Sequence, residues 1–290
     1  MKRRRCCFLS MDSLDGYVSD DELAIGPLGD LGWDVRTVSW RNAAVNWNDF
    51  EIVVIRTTWD YQHDPALFLD VLEKIESSSA RLENSLDVVK WNLDKRYLRE
   101  LATKGVRIVP TIWDGVYDRS SFDRWRGQLG TDELIIKPTV SATAEHTYRF
   151  RDFEPELTGV FRERPFMVQP FLRSIVDEGE YSLFYLGGGY SHTILKTPKT
   201  SDFRVQEEHG GIISAARPSQ ELLDVGRRIF DMIIPEPLYA RVDLVRDAAG
   251  SFALMELELI EPALYLRMDA GSPTRFAAAI DRRSDQVSTI

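Results

Sequence analysis

The sequence predicts an α/β protein in which a parallel sheet covered by helices leads into β-rich segments paired in antiparallel fashion. Three observations carry this. Strand-like and helix-like patterns alternate over the first ninety residues; the stretch from 133 to 195 is dominated by strands and contains a hairpin signature; two more strands near the end are joined by a short turn.

Residues 6–10 (C-C-F-L-S) are a short apolar run after basic residues, residues 22–31 read as a helix ended by Gly32, and residues 35–39 read as a strand. Residues 51–56 (E-I-V-V-I-R) are β-branched, bounded by polar residues, and make the best central strand. Pro65 opens a helix through residue 76, because proline suits the first helical position and Leu67, Phe68, Val71, Leu72 and Ile75 recur at helical spacing. Ligands of such sheets sit beyond the carboxyl ends of the strands, where loops 12–17 and 57–62 (T-T-W-D-Y-Q) belong. A helix over 94–104, stopped by Gly105, precedes strands at 106–111, 133–138 (E-L-I-I-K-P) and 166–172 (F-M-V-Q-P-F-L). Segments 181–186 and 190–195 flank three glycines as a hairpin would. A polar stretch (201–211), a helix (219–231) and strands at 239–245 and 252–259 around a turn at 247–250 complete the chain.

The 290 residues carry 46 acidic and 36 basic side chains, a net charge of −10, with 43% hydrophobic and 28% charged residues. This is the composition of a soluble protein, and at roughly 150 residues per domain it predicts about two domains. Cys6 and Cys7 are adjacent and cannot join distant segments, which fits a reducing cytoplasm, and the four histidines lack zinc-ligand spacing. The cationic run at 2–5 is followed by too short an apolar stretch for a secretory signal, and no segment reaches the ~18 apolar residues of a membrane helix. The acidic balance argues against a nucleic-acid partner. A protein handling a small molecule remains.

Arg241 and Asp243 alternate on one strand (A-R-V-D-L-V), and Glu256 and Glu258 on the next (M-E-L-E-L-I), so each pair shares a face. Either these acids face water, as in many antiparallel pairs, or the faces coincide and three carboxylates offer the hard oxygen ligands that Mg2+ takes alongside nucleotide phosphates. Lys95 opens a helix, and Lys137 ends an apolar strand, where a lysine either snorkels to solvent or meets a bound phosphate. Gln169, Pro170, Phe171 and Leu172 form a strand-to-loop junction able to offer backbone groups to an adenine edge, and the acid-rich turn behind it, including Glu180, can accept from ribose hydroxyls.

From Lys95 to Pro262 this order of parts resembles the ATP-grasp superfamily of carboxylate–amine ligases, glutathione synthetase-like enzymes among them. Its most specific piece is R-x-D, a glycine turn, then E-x-E and a proline: Arg241, Asp243, Gly250, Glu256, Glu258 and Pro262. D-alanine–D-alanine ligases are similar there. D-F-R-V-Q-E-E-H-G-G at 202–211 resembles a loop of ligases that add glutamate to a ribosomal protein, which hands Arg204 a phosphate- or substrate-facing role. The whole chain, with I-R-T-T-W-D-Y at 55–61 and E-P-A-L-Y-L at 261–266, is most similar to the branch containing the D-cycloserine-forming cyclo-ligase.

The resemblance implies an ATP-grasp fold: an N-terminal α/β domain (1–90) on the substrate side, a central subdomain (91–170) and a C-terminal subdomain (171–290), the latter two clamping ATP. It implies that Lys95 and Lys137 hold phosphates, Gln169 to Leu172 read adenine, Glu180 takes the ribose, and Lys196 reaches the γ-phosphate. Asp243, Glu256 and Glu258 would bind two Mg2+ ions, with Arg241 stabilising an acyl phosphate. Two departures stand out: the lid segment 138–147 contains no glycine, and Glu258 replaces an asparagine common among relatives.

The reading is an ATP-dependent, ADP-forming carbon–nitrogen ligase for an amino-acid-like molecule, cytoplasmic, with a homodimer in keeping with its relatives. Arg56, at the end of a central strand, is the candidate for a substrate carboxylate, with Trp59, Asp60 and Tyr61 shaping the pocket and Asp60 an amine partner; equally, Arg56 pairs with a nearby acid and Trp59 packs in the core. The rivals are an ATP-dependent small-molecule kinase and a catalytically silent nucleotide-binding scaffold.

Overall fold

A computed structural model describes residues 4–200 and 202–285. Lys2, Arg3 and Ser201, which begin the cationic run and the polar loop, lie outside the described residues. Strands β1 (Arg4–Ser10), β2 (Trp33–Ser39), β3 (Ile52–Thr57) and β4 (Arg81–Glu83) form a parallel sheet in the order β2-β1-β3-β4. β3 is central and buried along its whole length, as a strand covered on both faces must be. The helix Pro65–Glu76 begins where Asp64 accepts from the Leu67 amide and Pro65 sets the first turn. It buries Phe68, Leu72 and Ile75, while Leu67 stays exposed. The helix expected over 22–31 is a short turn, Asp21–Ala24, running into Ile25–Asp30, and Gly32 ends it at φ +88°.

β5 (Ile112–Asp114), β6 (Leu134–Pro138), β7 (Tyr148–Phe150) and β8 (Phe166–Pro170) form an antiparallel sheet in the order β5-β8-β6-β7. β9 (Glu180–Leu186), β10 (Gly189–Thr197), β11 (Ile212–Ala215), β12 (Tyr239–Arg246) and β13 (Phe252–Glu258) form a third, ordered β11-β10-β9-β12-β13. The β9–β10 hairpin turns through Gly187 and Gly188, both at positive φ, which matches the twist of the flanking strands.

The strand expected at 106–111 is reduced to one parallel bridge between Ile108 and Leu254, because Pro110 has no amide to continue a ladder. Three helices longer than a single turn escaped the sequence pattern: Leu86–Asn92, Arg119–Leu129 and Ser272–Asp285. The second buries only Ser121, Phe122 and Trp125, a stripe too narrow to register as periodic. The third returns the end of the chain to its beginning: Phe276, Ala277 and Ile280 pack in one cluster with Cys6, Phe8, Ile52 and Val54 of the first sheet and Phe184 and Tyr239 of the third. No helix among the described residues is long and apolar enough to cross a membrane.

Candidate active site

Antiparallel pairing of β12 and β13 sets Arg241 opposite Glu258 and Asp243 opposite Glu256, so the two acidic faces coincide. They form one wall of a cleft between the second and third sheets, lined by Arg241, Glu256 and Glu258, with Asp243 buried behind the lining. Cations interleave with these acids. Asp243 accepts from Arg241 Nη2 at 2.9 Å, Ser182 Oγ at 2.5 Å and Lys196 Nζ at 3.3 Å. Arg241 also contacts Glu258, Glu256 pairs with Lys95 at 3.0 Å, and Glu180 pairs with Lys196 at 2.5 Å across the β9–β10 ladder. As placed, each carboxylate leans on at least one cation, with Arg241 and Lys196 each shared between two acids, and no group of three or more acidic, histidine or cysteine side chains among the described residues is gathered as a metal cage.

The donor set nonetheless suits a hard divalent ion. Burial, reinforced by the charges of Glu256 and Asp243 and opposed by Arg241, pushes Glu258 up to about 7. Carboxylates facing one cleft are the hard oxygen donors such an ion takes, and its charge would favour the ionised form that burial opposes.

The opposite wall comes from the second sheet. Lys137 on β6 is buried, yet among the described residues its ammonium has only the Met255 sulfur, at 3.9 Å, as a hydrogen-bond partner. Burial lowers its pKa, the neighbouring Lys95 adds to the lowering, and Glu256 opposes it from a distance. Gln169, Pro170, Phe171 and Leu172 also line the cleft. The Phe171 amide already donates to the Glu133 carbonyl, whereas the Leu172 amide has no backbone partner among the described residues. Glycine-free, the lid segment over 138–147 takes its turn with Thr143, Ala144 and His146 at φ of 51° to 56°, where side chains are strained. It is held by Lys95, whose ammonium donates to the Ser141 carbonyl at 2.8 Å, and by His209, whose ring contacts the Thr143 carbonyl. Arg204 lines the cleft from the polar loop and pairs with Asp202 at 3.0 Å.

The four residues expected to shape the substrate side divide. Trp59 and Tyr61 line the cleft. Arg56 does not: its side chain is 1% exposed, and its guanidinium pairs with Asp21 at 3.0 Å, donates to the Pro262 carbonyl at 3.0 Å and lies over the Tyr239 ring. It fastens the first sheet to the segment after β13, because those two partners use the fork a substrate carboxylate would need. Asp60 is likewise occupied, accepting from Trp40 Nε1 at 2.7 Å and Arg41 Nε at 3.1 Å outside the cleft lining. Among the lining residues that the sequence left without a role are Glu261 and Tyr265. The Trp59 indole donates to the Glu261 carbonyl at 2.8 Å, but the Glu261 carboxylate, in a residue 8% exposed, has no hydrogen-bond or ion-pair partner among the described residues. Burial first, then the Glu258 charge, pushes it up to about 8.

Over 278 residues the chain is 31% identical to the cycloserine biosynthesis protein DcsG of Streptomyces lavendulae, covering 87% of this chain and 90% of that protein. The chain belongs to the DcsG family. Residues 6–84 match the family model described as the N-terminal domain of D-cycloserine synthetase DcsG. The crystal structure of D-cycloserine synthetase DcsG superposes with a TM-score of 0.82 at 25% identity, covering 97% of this chain and 99% of that one. The ATP-grasp ligase PsnB, in its complex with a precursor variant, Mg and ADP, superposes with a TM-score of 0.68 at 14% identity over 98% of this chain and 99% of that one, a likeness of fold. The fold of this member of the DcsG family is therefore the ATP-grasp fold, and the chain is a carbon–nitrogen ligase enzyme.

Proposed function

We propose that the cleft binds ATP with Mg2+ and an amino-acid-like substrate, and that the chain activates the substrate carboxylate as an acyl phosphate, releases ADP and joins the acyl group to an amine. The observation that carries this reading is the state of Lys137. A buried ammonium without an anionic partner costs stability unless an anion arrives, and the cleft that holds it also carries Lys95, Lys196 and Arg241. Phosphates fit that demand, with Leu172 and its neighbours reading adenine and Glu180 near the ribose. Arg204, on the loop above, takes a phosphate or substrate oxygen.

A carboxylate is a poor electrophile because its leaving group would be oxide. In the reaction proposed, a carboxylate oxygen attacks the γ-phosphorus and the bond to ADP breaks; the amine nitrogen then attacks the carbonyl carbon and inorganic phosphate leaves. Lys95, Lys137 and Lys196 position and neutralise the transferring group, and Arg241 stabilises the acyl phosphate and the oxyanion, a task in which loss of one donor typically costs roughly 100- to 1000-fold. Asp243, Glu256 and Glu258 would hold two Mg2+ ions, which supply charge neutralisation and alignment of the phosphates. Trp59 and Tyr61 shape the acceptor side. The name of the family's characterised relative supports closure of a ring within one molecule, since cycloserine is itself a cyclic compound with an acyl–nitrogen bond.

We assign substrate selection to residues 1–90 and nucleotide clamping to 91–170 and 171–290, in a cytoplasmic homodimer; the free, buried Cys6 and Cys7 are in keeping with a reducing compartment. The test is ADP and phosphate release with Mg2+ and ATP across pools of amino acids and their derivatives, beside an Asp243→Asn, Glu256→Gln double variant. Pool-dependent release that vanishes in the variant is expected. A stable phosphorylated product would move the assignment to a kinase, and ATP binding without release in any pool would move it to a silent scaffold.

A further inference from the structure

The cleft's charges can be paired off almost completely. Lys95 takes Glu256, Lys196 takes Glu180 and Asp243, and Arg241 takes Asp243 and Glu258. Among the buried charged side chains lining the cleft, two remain without an ionic partner among the described residues: Lys137 and Glu261. The first is accounted for by phosphate. The second feels the charges of Lys95 and Arg241, but both are paired with other acids and neither forms an ion pair with it among the described residues, so a cation entering the cleft would be the one to hold it ionised.

Glu261 lies three residues past Glu258, beyond the end of β13. Its carbonyl is fixed by the Trp59 indole at 2.8 Å, which brings an aromatic side chain of the first domain against it. Tyr61 is next: after burial, the Glu261 charge is the largest influence holding the Tyr61 phenol well above its ordinary value. Tyr265 enters the same lining with its backbone at φ +46°, a left-handed conformation that a bulky residue keeps only where the surroundings require it. A carboxylate beside aromatic side chains suits an organic ammonium, which gains from ring faces as well as from charge; Mg2+ prefers oxygens and its own waters.

Resting on the ligase reading above, we propose that Glu261, beside Trp59 and Tyr61, binds the protonated primary amine of the amino-acid-like substrate and so sets the specificity for an amino acid over the corresponding acid. The side chain positions the substrate without joining the phosphoryl-transfer machinery. It thereby separates the amine that is recognised from the nitrogen that reacts, since a nitrogen held as ammonium by Glu261 has no lone pair to attack with.

The probes are D-cycloserine and isoxazolidin-3-one, the same ring without its primary amine, titrated calorimetrically into the full chain with ADP and Mg2+ present. Wild type is expected to prefer D-cycloserine, and Glu261→Gln to erase that preference with a loss of about 10- to 100-fold, the scale of a charge-assisted hydrogen bond. Glu261→Asp, which keeps the charge on a shorter arm, should retain part of it. ADP affinity and the Mg2+ dependence of ADP binding should be unchanged in both variants, which also reports that they are folded. A preference that survives Glu261→Gln, a shifted Mg2+ dependence, or no preference for the amine in wild type each overturns the proposal. The ligase reading is judged separately by pool-dependent ADP release: release without an amine preference sinks the Glu261 assignment alone, and an amine preference without release sinks the ligase reading alone.

Discussion

Lys137 and Lys196 are both buried lysines lining one cleft, yet replacing each by methionine should move stability in opposite directions. The Lys196 ammonium is clasped by Glu180 at 2.5 Å and Asp243 at 3.3 Å. Removing it leaves two buried carboxylates short of a cation, a change that costs about 3–5 kcal/mol. Among the described residues the Lys137 ammonium has only a sulfur, at 3.9 Å, so Lys137→Met removes an unpaired buried charge and places a thioether beside Met255. Relief of about 1–2 kcal/mol is expected, the scale of an unsatisfied buried polar group. At about 2–4 °C per kcal/mol, Lys137→Met should melt about 2–8 °C above wild type without nucleotide, and Lys196→Met at least about 6 °C below it. Saturating Mg2+ and ATP should then invert the order of wild type and Lys137→Met. Ligand at one hundred times its dissociation constant stabilises wild type by about 2.7 kcal/mol, and the variant forgoes most of that. Differential scanning fluorimetry with and without nucleotide reads these shifts. If Lys137→Met loses stability as Lys196→Met does, the ammonium has an anionic partner in the free protein and the argument from an unpaired charge is wrong.

Three further outcomes are expected. His192 is stacked on Phe184 with its Nε2 hydrogen donated to the Leu264 carbonyl at 3.0 Å, and burial holds its pKa down at about 4 against the ordinary 6.5. The unfolded chain therefore binds the proton first as pH falls, so this contribution is complete above pH 6.5 and is lost between 6.5 and 4. Between pH 7 and pH 5 in urea titrations, wild type should therefore lose about 2 kcal/mol relative to His192→Gln, a difference that isolates this residue from the buried carboxyls titrating in the same range. Asn84 donates to the carbonyls of Tyr239 at 3.0 Å and Leu259 at 2.6 Å and accepts from the Leu238 amide at 2.7 Å; Asn84→Leu should destabilise by roughly 3 kcal/mol or more in the same assay. In Gly211→Ala the new Cβ would lie 2.1 Å from the Val205 carbonyl oxygen, displacing the loop that carries Arg204, so kcat/KM for ADP release should fall about 10- to 100-fold; Gly127→Ala, where the added methyl meets nothing within 4 Å, should leave it unchanged.

Much of the fold was legible because its strongest signals are local. The E-I-V-V-I-R strand, the Pro65 helix and the glycine hairpin follow from periodicity and turn chemistry over a few residues, and all three stand as the sequence indicates. The wall of Arg241, Asp243, Glu256 and Glu258 was legible for a related reason: period two fixes each strand's face, and a short turn leaves few registers in which the strands can pair. What could not be read locally is what each buried charge finds across the molecule. Arg56 and Lys137 look alike in sequence, each the basic residue that closes an apolar strand. Arg56 finds Asp21, thirty-five residues back, and a carbonyl of Pro262, two hundred and six residues on; Lys137 finds neither acid nor carbonyl among the described residues. The same absence of local information hid Glu261, which stands in the sequence as one more acid before a proline. A charge at the end of a strand becomes structural when a distant segment satisfies it and receptive when none does, so the reading of a cleft of this kind turns on which charges remain after the protein has paired the others with one another.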